Sequence, residues 1–374
     1  MLVSDLGYRS ATEAEISNCL DGSDGKVSAA EANPEKAFDL PTAILSREPF
    51  ISYSGIVPDS PLGLAGLLPS SFGERDAWFL LSPTWSVEAP EVAADLRRQA
   101  VLLRRNHRHR NLIFMCNTEQ EASQLRALGE AAVFHNKTCS TSESVFRPLP
   151  EIPIEFDAIY NAQLAKWKRH QLARHIERCA FIFYRGTVGS STEQQEQKTI
   201  ARHALRAPGH VFLNRFDETN TPVRMTPEEV NHHLNRARVG LCLSRVEGAM
   251  FASTEYLLAG LPVVSTPSRG GRDVYFDKDF CLVVEADRKA VAEAVRRMIG
   301  RAIPRQEIRE KTLERLNRDR LRFVELLNDI CSESGTHRRV RPSQVFSDSV
   351  LMKWRYWKDA VRQALDRPAD GSGH

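Results

Sequence analysis

The chain has 374 residues, of which 42% are hydrophobic and 26% are charged, with 51 Lys and Arg against 48 Asp and Glu. The nearly balanced charge argues against a nucleic-acid-binding protein, and the hydrophobic fraction argues against wholesale disorder. At roughly 100–200 residues per domain, the length suggests two domains.

Seven cysteines are scattered along the chain and include no CxxC pair. This usage predicts a reducing compartment and argues against both a disulfide framework and a zinc site. No apolar run approaches the roughly 18 residues of a membrane span, and no basic region followed by an apolar core opens the chain. We therefore expect a cytoplasmic protein.

Strands and helices alternate from residue 76 onward, whereas the first 75 residues show only helix-like pieces around 11–20 and 28–38. The sequence predicts strands at Asp76–Ser82, Asn111–Cys116 and Ala131–His135. It predicts helices between them at Glu88–Arg105 and at residues 118–129, the second one capped by Thr118. Such alternation is typical of βαβ units and a mostly parallel sheet.

A proline-rich segment, Arg147–Pro153, then interrupts the pattern with three prolines in seven residues. Proline disrupts both helix interiors and central strands, so we interpret this segment as a linker. It divides the chain into domains at 1–150 and 151–344, with a remaining segment at 345–374.

The alternation restarts after the linker. Strands are predicted at Phe156–Tyr160, Ala180–Tyr184, His210–Leu213, Val239–Ser244 and Pro262–Ser265, and helices at Trp167–Cys179, Glu193–Leu205, Thr226–Ala237, Thr254–Ala259, Lys289–Gly300, Arg305–Cys331 and Ser347–Leu365. The fold class is therefore α/β, with two doubly wound halves. Ligands of such sheets bind beyond the carboxyl ends of the strands, and the cleft between two halves is the default site.

The segment Val239–Asp273 carries the strongest chemical signal. A buried strand leads into a tight turn at Glu247, and the next backbone amides open a helix whose N-terminus favours an anion such as a diphosphate. Glu255 lies about one turn inside that helix. Because a carboxylate beside a phosphate is costly, both glutamates are better suited to accepting hydroxyl hydrogen bonds. This arrangement suits a nucleotide sugar held by Glu247, Glu255 and the amides of Gly248, Ala249, Met250 and Phe251.

The same segment resembles the donor site of retaining GT-B glycosyltransferases, the glycogen-synthase-like or group 1 family. The resemblance rests on Glu247, seven intervening residues, Glu255, and the run Ala259-Gly260-Leu261-Pro262-Val263-Val264. It implies that Glu247 contacts the donor sugar near its reacting carbon, that Glu255 binds the ribose, and that the amides between them hold sugar hydroxyls and phosphate.

A second stretch, Ala158–His170, resembles the Gly-Arg-Leu…Lys-Gly element of that family, in which an Arg and a Lys grip the donor diphosphate. Lys168 matches the Lys, whereas the neutral Gln163 stands at the Arg position. The resemblance implies a catalytic role for Lys168 and donor contact at Gln163 and Arg169. One cationic phosphate contact is missing from the pattern unless Lys166 or Arg169 replaces it.

By resemblance we expect a GT-B fold, with two Rossmann-like domains facing a cleft and a last helix at 345–374 that completes the first domain. The implied activity is transfer of a sugar, with retention, from a UDP- or GDP-sugar to a glycan or other hydroxyl acceptor in bacterial glycan or glycoconjugate synthesis. The implied reaction needs no metal or other cofactor.

Two other functions remain open: a non-catalytic nucleotide-sugar-binding scaffold with a degenerate site, and a GT-B nucleotide-sugar epimerase. The basic run Arg104–Arg110 has three interpretations: a weak peripheral contact with the inner face of a membrane, a contact with an acidic acceptor, or a solvated helix end. Asp24–Glu31 matches half of an EF-hand loop and is interpreted as a surface loop. His135 is interpreted as structural.

Overall fold

The computed structural model describes residues 42–69, 72–73, 75–184, 192–219, 221–346 and 357–365. They divide into two compact units, one formed by the described residues up to Ser140 and from Asp319 onward, the other by Thr141–Arg318. The EF-hand-like stretch, the helix-like pieces at 11–20 and 28–38, and residues 347–356 of the last predicted helix lie outside the described residues.

The first unit is built on a five-stranded sheet in the order β1-β2-β3-β4-β5. Its strands are Thr42–Arg47, Phe50–Ile56, Ala77–Pro83, Arg110–Cys116 and Ala132–Phe134. Strand β1 pairs antiparallel with β2, and all other neighbours are parallel. The last three strands match the sequence prediction, whereas the β1–β2 hairpin was not predicted.

Helices cover both faces of this sheet. One face packs against α1, α2, α3 and α10, which are Gly63–Leu67, Pro90–Asn106, Glu119–Ala127 and Trp357–Leu365. The other face packs against the end of α8 (Arg305–Glu333) and against α9 (Pro342–Phe346). Among the described strands the spatial order follows the chain order, so this sheet has no reversal point of the kind that forms a ligand crevice.

The second unit is built on six parallel strands in the order β8-β7-β6-β9-β10-β11. They are Phe156–Asn161, Cys179–Ile182, His210–Phe212, Ala237–Cys242, Val263–Ser265 and Cys281–Val283, numbered β6 to β11. The chain fills one half of the sheet from β6 outward and then returns to start the other half at β9. This reversal places a ligand crevice at the carboxyl ends of β6 and β9.

The helices of the second unit are α4 (Glu193–Arg206), α5 (Pro227–Asn235), α6 (Phe251–Leu258) and α7 (Arg288–Arg301), followed by the first part of α8. Helices α4, α5 and α7 begin at side-chain caps that the sequence provides, whereas α6 begins without one. At the start of α5, the Thr226 side chain accepts from the Glu229 amide at 3.2 Å, while the Glu229 carboxylate accepts from the Thr226 amide at 2.8 Å. The predicted capping box is confirmed.

The helix predicted at Trp167–Cys179 is wrong. Two 3-10 segments, Lys166–Lys168 and His170–His175, stand in its place, and Arg169 between them has a φ of 54° in the left-handed region. The Arg169 guanidinium donates to carbonyl groups beyond β9, more than 70 residues along the chain. These tertiary bonds hold a backbone conformation that local periodicity does not report.

Among the described residues, no helix is long and apolar enough to cross a bilayer.

Candidate functional site

The predicted site residues of the second unit come together where the sheet order reverses. Lys168 follows β6, and Glu247 and Glu255 follow β9, so both groups lie at the carboxyl ends of adjacent parallel strands. Asn161, the last residue of β6, joins them. The crevice that the topology creates is therefore lined by charged and polar side chains.

Lys168 and Glu247 form an ion pair, with the Lys168 ammonium donating to the Glu247 carboxylate. Both side chains are largely withdrawn from solvent, at 9% and 12% exposure. The Tyr160 hydroxyl donates to the Lys168 carbonyl at 2.8 Å and so anchors the backbone of the 3-10 segment. Each charge thus compensates the other where solvation is weak.

The turn that carries Glu247 is fixed by a neighbouring loop. The Glu247 amide donates to the Arg269 carbonyl at 3.0 Å, and the Gly271 amide donates to the Gly248 carbonyl at 2.7 Å. Gly270 has a φ of 90°, which a glycine adopts without strain. The site therefore has a preset backbone.

The amides between the two glutamates are available to a ligand. Within the described part of the chain, no acceptor bonds the amides of Gly248, Ala249, Met250 and Phe251. They lead into the first turn of α6, where unpaired N–H groups and the helix dipole favour negative charge. This geometry suits a phosphate or a set of sugar hydroxyls.

Glu255 is half-buried on α6 and faces the end of β6. Its carboxylate accepts from the Asn161 side-chain amide at 3.2 Å, and the Asn161 backbone amide donates to the Tyr256 hydroxyl at 2.6 Å. Burial raises the pKa of Glu255 to about 7, against the weaker opposing effect of the Asn161 bond. A hydrogen-bond donor on a ligand would stabilise the ionised form.

Tyr184 and Asn161 are site residues that sequence reasoning missed. Tyr184 is 47% exposed, and partial desolvation, with further contributions from the nearby charges of Glu247 and Glu255, raises its pKa. Tyr184 follows β7, and Asn161 ends β6. Their place at the carboxyl ends of strands beside the reversal was the available signal.

Arg169, which the sequence predicted to contact the donor, bonds the loops that follow β9 and β10. Its Nε donates to the Leu243 carbonyl at 2.6 Å, and its Nη2 donates to the Thr266 hydroxyl at 2.7 Å. Gln163 is half-buried two residues after β6. The other candidate for the missing cation, Lys166, is exposed and lines a separate cavity.

Arg272 is a second buried support that the sequence did not single out. It is 1% exposed, and it donates to the Ser244 carbonyl and to the Ser265 hydroxyl, both at 2.6 Å. It also pairs with Asp273. Arg169 and Arg272 together tie the ends of β9 and β10, from which the site loops extend.

The basic run Arg104–Arg110 is partly structural. Arg104 bonds the buried carboxylate of Glu130 at 2.6 and 2.8 Å, and the buried Arg110 donates to the Ala65 carbonyl at 2.7 Å. His135 is 2% exposed and stacks near Phe323, with ring centroids 4.6 Å apart, and burial lowers its pKa to about 3. The burial of His135 favours its structural interpretation, whereas the contacts of Arg104 and Arg110 tie these two residues into the fold, which none of the three interpretations of the basic run included.

No group of three or more His, Cys, Asp or Glu side chains suited to holding a metal occurs in the described ranges.

Comparison with known proteins gives one family match and many fold matches. The family model described as Glycosyl transferases group 1 matches residues 188–301, and no curated protein sequence gives a significant match. The chain is similar in structure to sucrose-phosphate synthase from Thermosynechococcus elongatus, with 14% identity, a TM-score of 0.52 and 68% of each chain covered.

Two further solved structures agree. Anabaena Alr3699/HepE in complex with UDP has 12% identity and a TM-score of 0.52, over 72% of this chain and 77% of that one. Alpha,alpha-trehalose 6-phosphate synthase from Burkholderia multivorans has 14% identity and a TM-score of 0.51, over 75% and 72%. At these identities the likeness establishes the fold, two Rossmann-like sheets in a mixed α/β chain.

Proposed function

We propose that this chain, which matches the glycosyl transferases group 1 model over residues 188–301 and has the GT-B fold, transfers a sugar from a UDP- or GDP-sugar to a hydroxyl acceptor with retention of configuration. The acceptor is a glycan or another hydroxyl compound. The reaction proceeds without a metal.

One observation carries the proposal: the Lys168–Glu247 pair and the Glu255–Asn161 pair flank unpaired backbone amides at the reversal between β6 and β9. A nucleoside diphosphate sugar has hydroxyls at both ends and two phosphates between them. The site offers carboxylates at two points, with an ammonium and N–H donors available for phosphate. The order of chemical groups is thus complementary to such a donor.

In this proposal Glu255 accepts hydrogen bonds from the ribose hydroxyls, and Asn161 holds the carboxylate in position. The amides of Gly248, Ala249, Met250 and Phe251, together with Lys168, contact phosphate and sugar oxygens. Glu247 orients the sugar by accepting from its hydroxyls. Gln163, two residues after β6, supplies a neutral contact in place of a cation.

In the reaction, the acceptor oxygen forms a bond to the anomeric carbon on the face from which the diphosphate leaves. The bond between that carbon and the phosphate oxygen breaks, and its electron pair stays on the nucleoside diphosphate. The acceptor proton passes to a β-phosphate oxygen. The protein contributes positioning and charge stabilisation rather than a covalent intermediate.

The Lys168–Glu247 pair gives this scheme a physical basis. An arriving diphosphate competes with Glu247 for the Lys168 ammonium, because both are anions near the same cation. Release of Glu247 frees its carboxylate for the sugar hydroxyls, while Lys168 moves toward the group that gains negative charge. Donor binding therefore assembles the catalytic arrangement.

The direct test is thermal unfolding of the protein with UDP, GDP, UDP-glucose and GDP-mannose, with Glu255→Ala as the comparison variant. A ligand at about 100 times its Kd should add about 2.7 kcal/mol to the free energy of unfolding. We expect stabilisation by one base and its loss in Glu255→Ala. Absence of any shift at millimolar nucleotide would contradict the proposal.

A non-catalytic nucleotide-sugar-binding role is the second candidate, because Gln163 is neutral and the Nε and Nη2 groups of Arg169 donate to the protein itself. Nucleotide binding alone does not separate the two functions. The two functions are separated by measuring the release of nucleoside diphosphate from the sugar donor over time, in the native protein and in Glu247→Ala. Release that is abolished in Glu247→Ala supports the enzyme, whereas no release by the native protein supports the scaffold.

A further inference from the structure

A cavity of about 530 Å³ lies on the helical side of the second unit. Its walls come from the two 3-10 segments, from α4 and from the start of α7. The segment Lys166–His175 separates it from the candidate donor site: Lys168 pairs with Glu247, whereas Lys166 and His170 line the cavity.

The lining of this cavity is strongly basic. Five of the twelve described lining residues are cationic and none is acidic; the cations are Lys166, Arg174, Lys198, Arg202 and Arg288. Burial lowers the pKa of Arg174, and the charges of Arg288, Arg206 and Arg202 lower it further. Cations gathered around a cavity without carboxylates repel one another, and a bound anion relieves that repulsion.

Buried polar atoms at the cavity lack partners as well. His170 and His203 are 4% and 1% exposed, and no described residue bonds the buried Nε2 of either ring. The buried Nε of Arg174 likewise has no hydrogen-bond partner among the described residues. Buried polar groups are normally paired, so these three atoms leave hydrogen-bonding capacity beside the cavity that the described residues do not use.

The hydrogen bonds around His203 define what it offers. The His210 Nε2 lies 2.9 Å from the Ile176 carbonyl and donates to it, which leaves the His210 Nδ1 as an acceptor. That atom is 3.0 Å from the His203 Nδ1, which is therefore the donor. The neutral His203 ring then presents an acceptor at Nε2, suited to a hydroxyl group.

We propose that this cavity is a second binding site, distinct from the donor site, for a small phosphorylated ligand that also carries hydroxyl groups, such as a sugar phosphate. The phosphoryl group binds among the five cationic side chains, and the forked guanidinium group of arginine matches the spacing of phosphate oxygens. A ligand hydroxyl donates to the His203 Nε2. This assignment does not depend on the reaction proposed above.

The test is calorimetric titration of the full chain with glucose 6-phosphate, ribose 5-phosphate and glycerol 3-phosphate, and with inorganic phosphate and glucose for comparison. A Lys198→Gln/Arg202→Gln variant removes two exposed cations of the cavity. A matched variant, Arg296→Gln/Arg297→Gln, removes the same charge from the exposed surface of α7 outside the cavity lining.

We expect at least one phosphorylated polyol to bind more tightly than both inorganic phosphate and glucose. Its affinity should fall at least about tenfold in the Lys198/Arg202 variant and stay unchanged in the matched variant. Saturating UDP should not displace this phosphorylated ligand.

Three results would overturn the proposal. If none of the phosphorylated compounds binds at millimolar concentration, the cavity is not such a site. An equal loss of affinity in both variants would mean general charge attraction. Displacement by UDP would assign the cations to the donor site.

Discussion

The ammonium of Lys168 and the carboxylate of Glu247 hold each other in a site with little access to water. Removing either charge leaves the other without a partner, which costs more than the pair itself contributes. The same contact makes each group available when a ligand offers a substitute. At the scale of single residues, the site is therefore a balanced set of charges that a diphosphate can rearrange.

Glu247→Gln keeps the side-chain volume and removes the charge. We expect turnover to fall at least about 100-fold, because the sugar loses a charged acceptor during transfer. The affinity for nucleoside diphosphate should rise severalfold, because the Lys168 ammonium no longer has a competing carboxylate. Steady-state rates and calorimetry measure the two effects, with the exposed Glu285→Gln as control. Unchanged turnover would remove Glu247 from the mechanism.

Glu255 links stability to pH. Its native pKa of about 7 lies above the ordinary value of 4.5, so the native state holds this proton more tightly than the unfolded chain does. The stabilising contribution is therefore complete below about pH 4.5 and is lost as the pH rises through 7. Relative to the native sequence, Glu255→Gln should become more stable between pH 5 and pH 8, as measured by chemical denaturation. A difference independent of pH would contradict this assignment.

At the scale of elements, strand β9 and helix α6 pack closely against each other. A Cβ on Gly240 would lie 2.4 Å from Cγ of Tyr256, the buried residue whose hydroxyl accepts from Asn161 at the end of β6. Glu255 is the next residue along the helix. Close packing of α6 on β9 therefore sets the position of the carboxylate.

Gly240→Ala should destabilise the protein by about 1–3 kcal/mol, because the added methyl group forces Tyr256 and α6 outward. Nucleotide binding should weaken with it. Gly300→Ala is the matched control: apart from its chain neighbours and its own helix backbone, no atom lies within 4 Å of its added Cβ, and alanine within α7 should stabilise by about 0.5–1 kcal/mol. Equal unfolding free energies for the two variants would refute the packing argument.

Periodicity predicted most strands and helices beyond residue 76, because alternating apolar and polar runs directly report burial. It did not reveal β2, where Ser52 and Ser54 are fully buried. Small hydroxyl residues suggest a loop in a sequence and are buried here by the neighbouring strands. In the same way, the placement of Glu247 and Glu255 followed from a local pattern, whereas Asn161 and Arg272 act through contacts with residues distant in the chain.

At the scale of the whole molecule, one helix belongs to both units. Helix α8 runs from Arg305 to Glu333, and the division between the units falls at Arg318 and Asp319 within it. The later part of α8 packs on one face of the first sheet, and Ala360 and Ala364 of α10 pack on the other. The first unit is thus assembled from two separate parts of the chain.

Ala360→Asp should unfold the first unit preferentially, because it places a carboxylate at a fully buried position at a cost of at least about 3 kcal/mol. The second unit contains neither this residue nor its neighbours in the core. Melting followed by calorimetry should show a lowered transition, together with nucleotide affinity within about twofold of the native value. Loss of nucleotide binding in proportion to stability would mean that the two units unfold as one.

The divided first unit has a consequence for the growing chain on the ribosome. The last strand of its sheet ends at Phe134, but the residues that cover one face of that sheet extend to Val345. At the usual 5–20 residues per second, this face waits about 10–40 s for its cover. The second unit is continuous in sequence and can fold in the interval. The exposed apolar face of the first sheet is then the surface that a chaperone would meet. The first unit begins to be synthesised before the second but completes its folding after it.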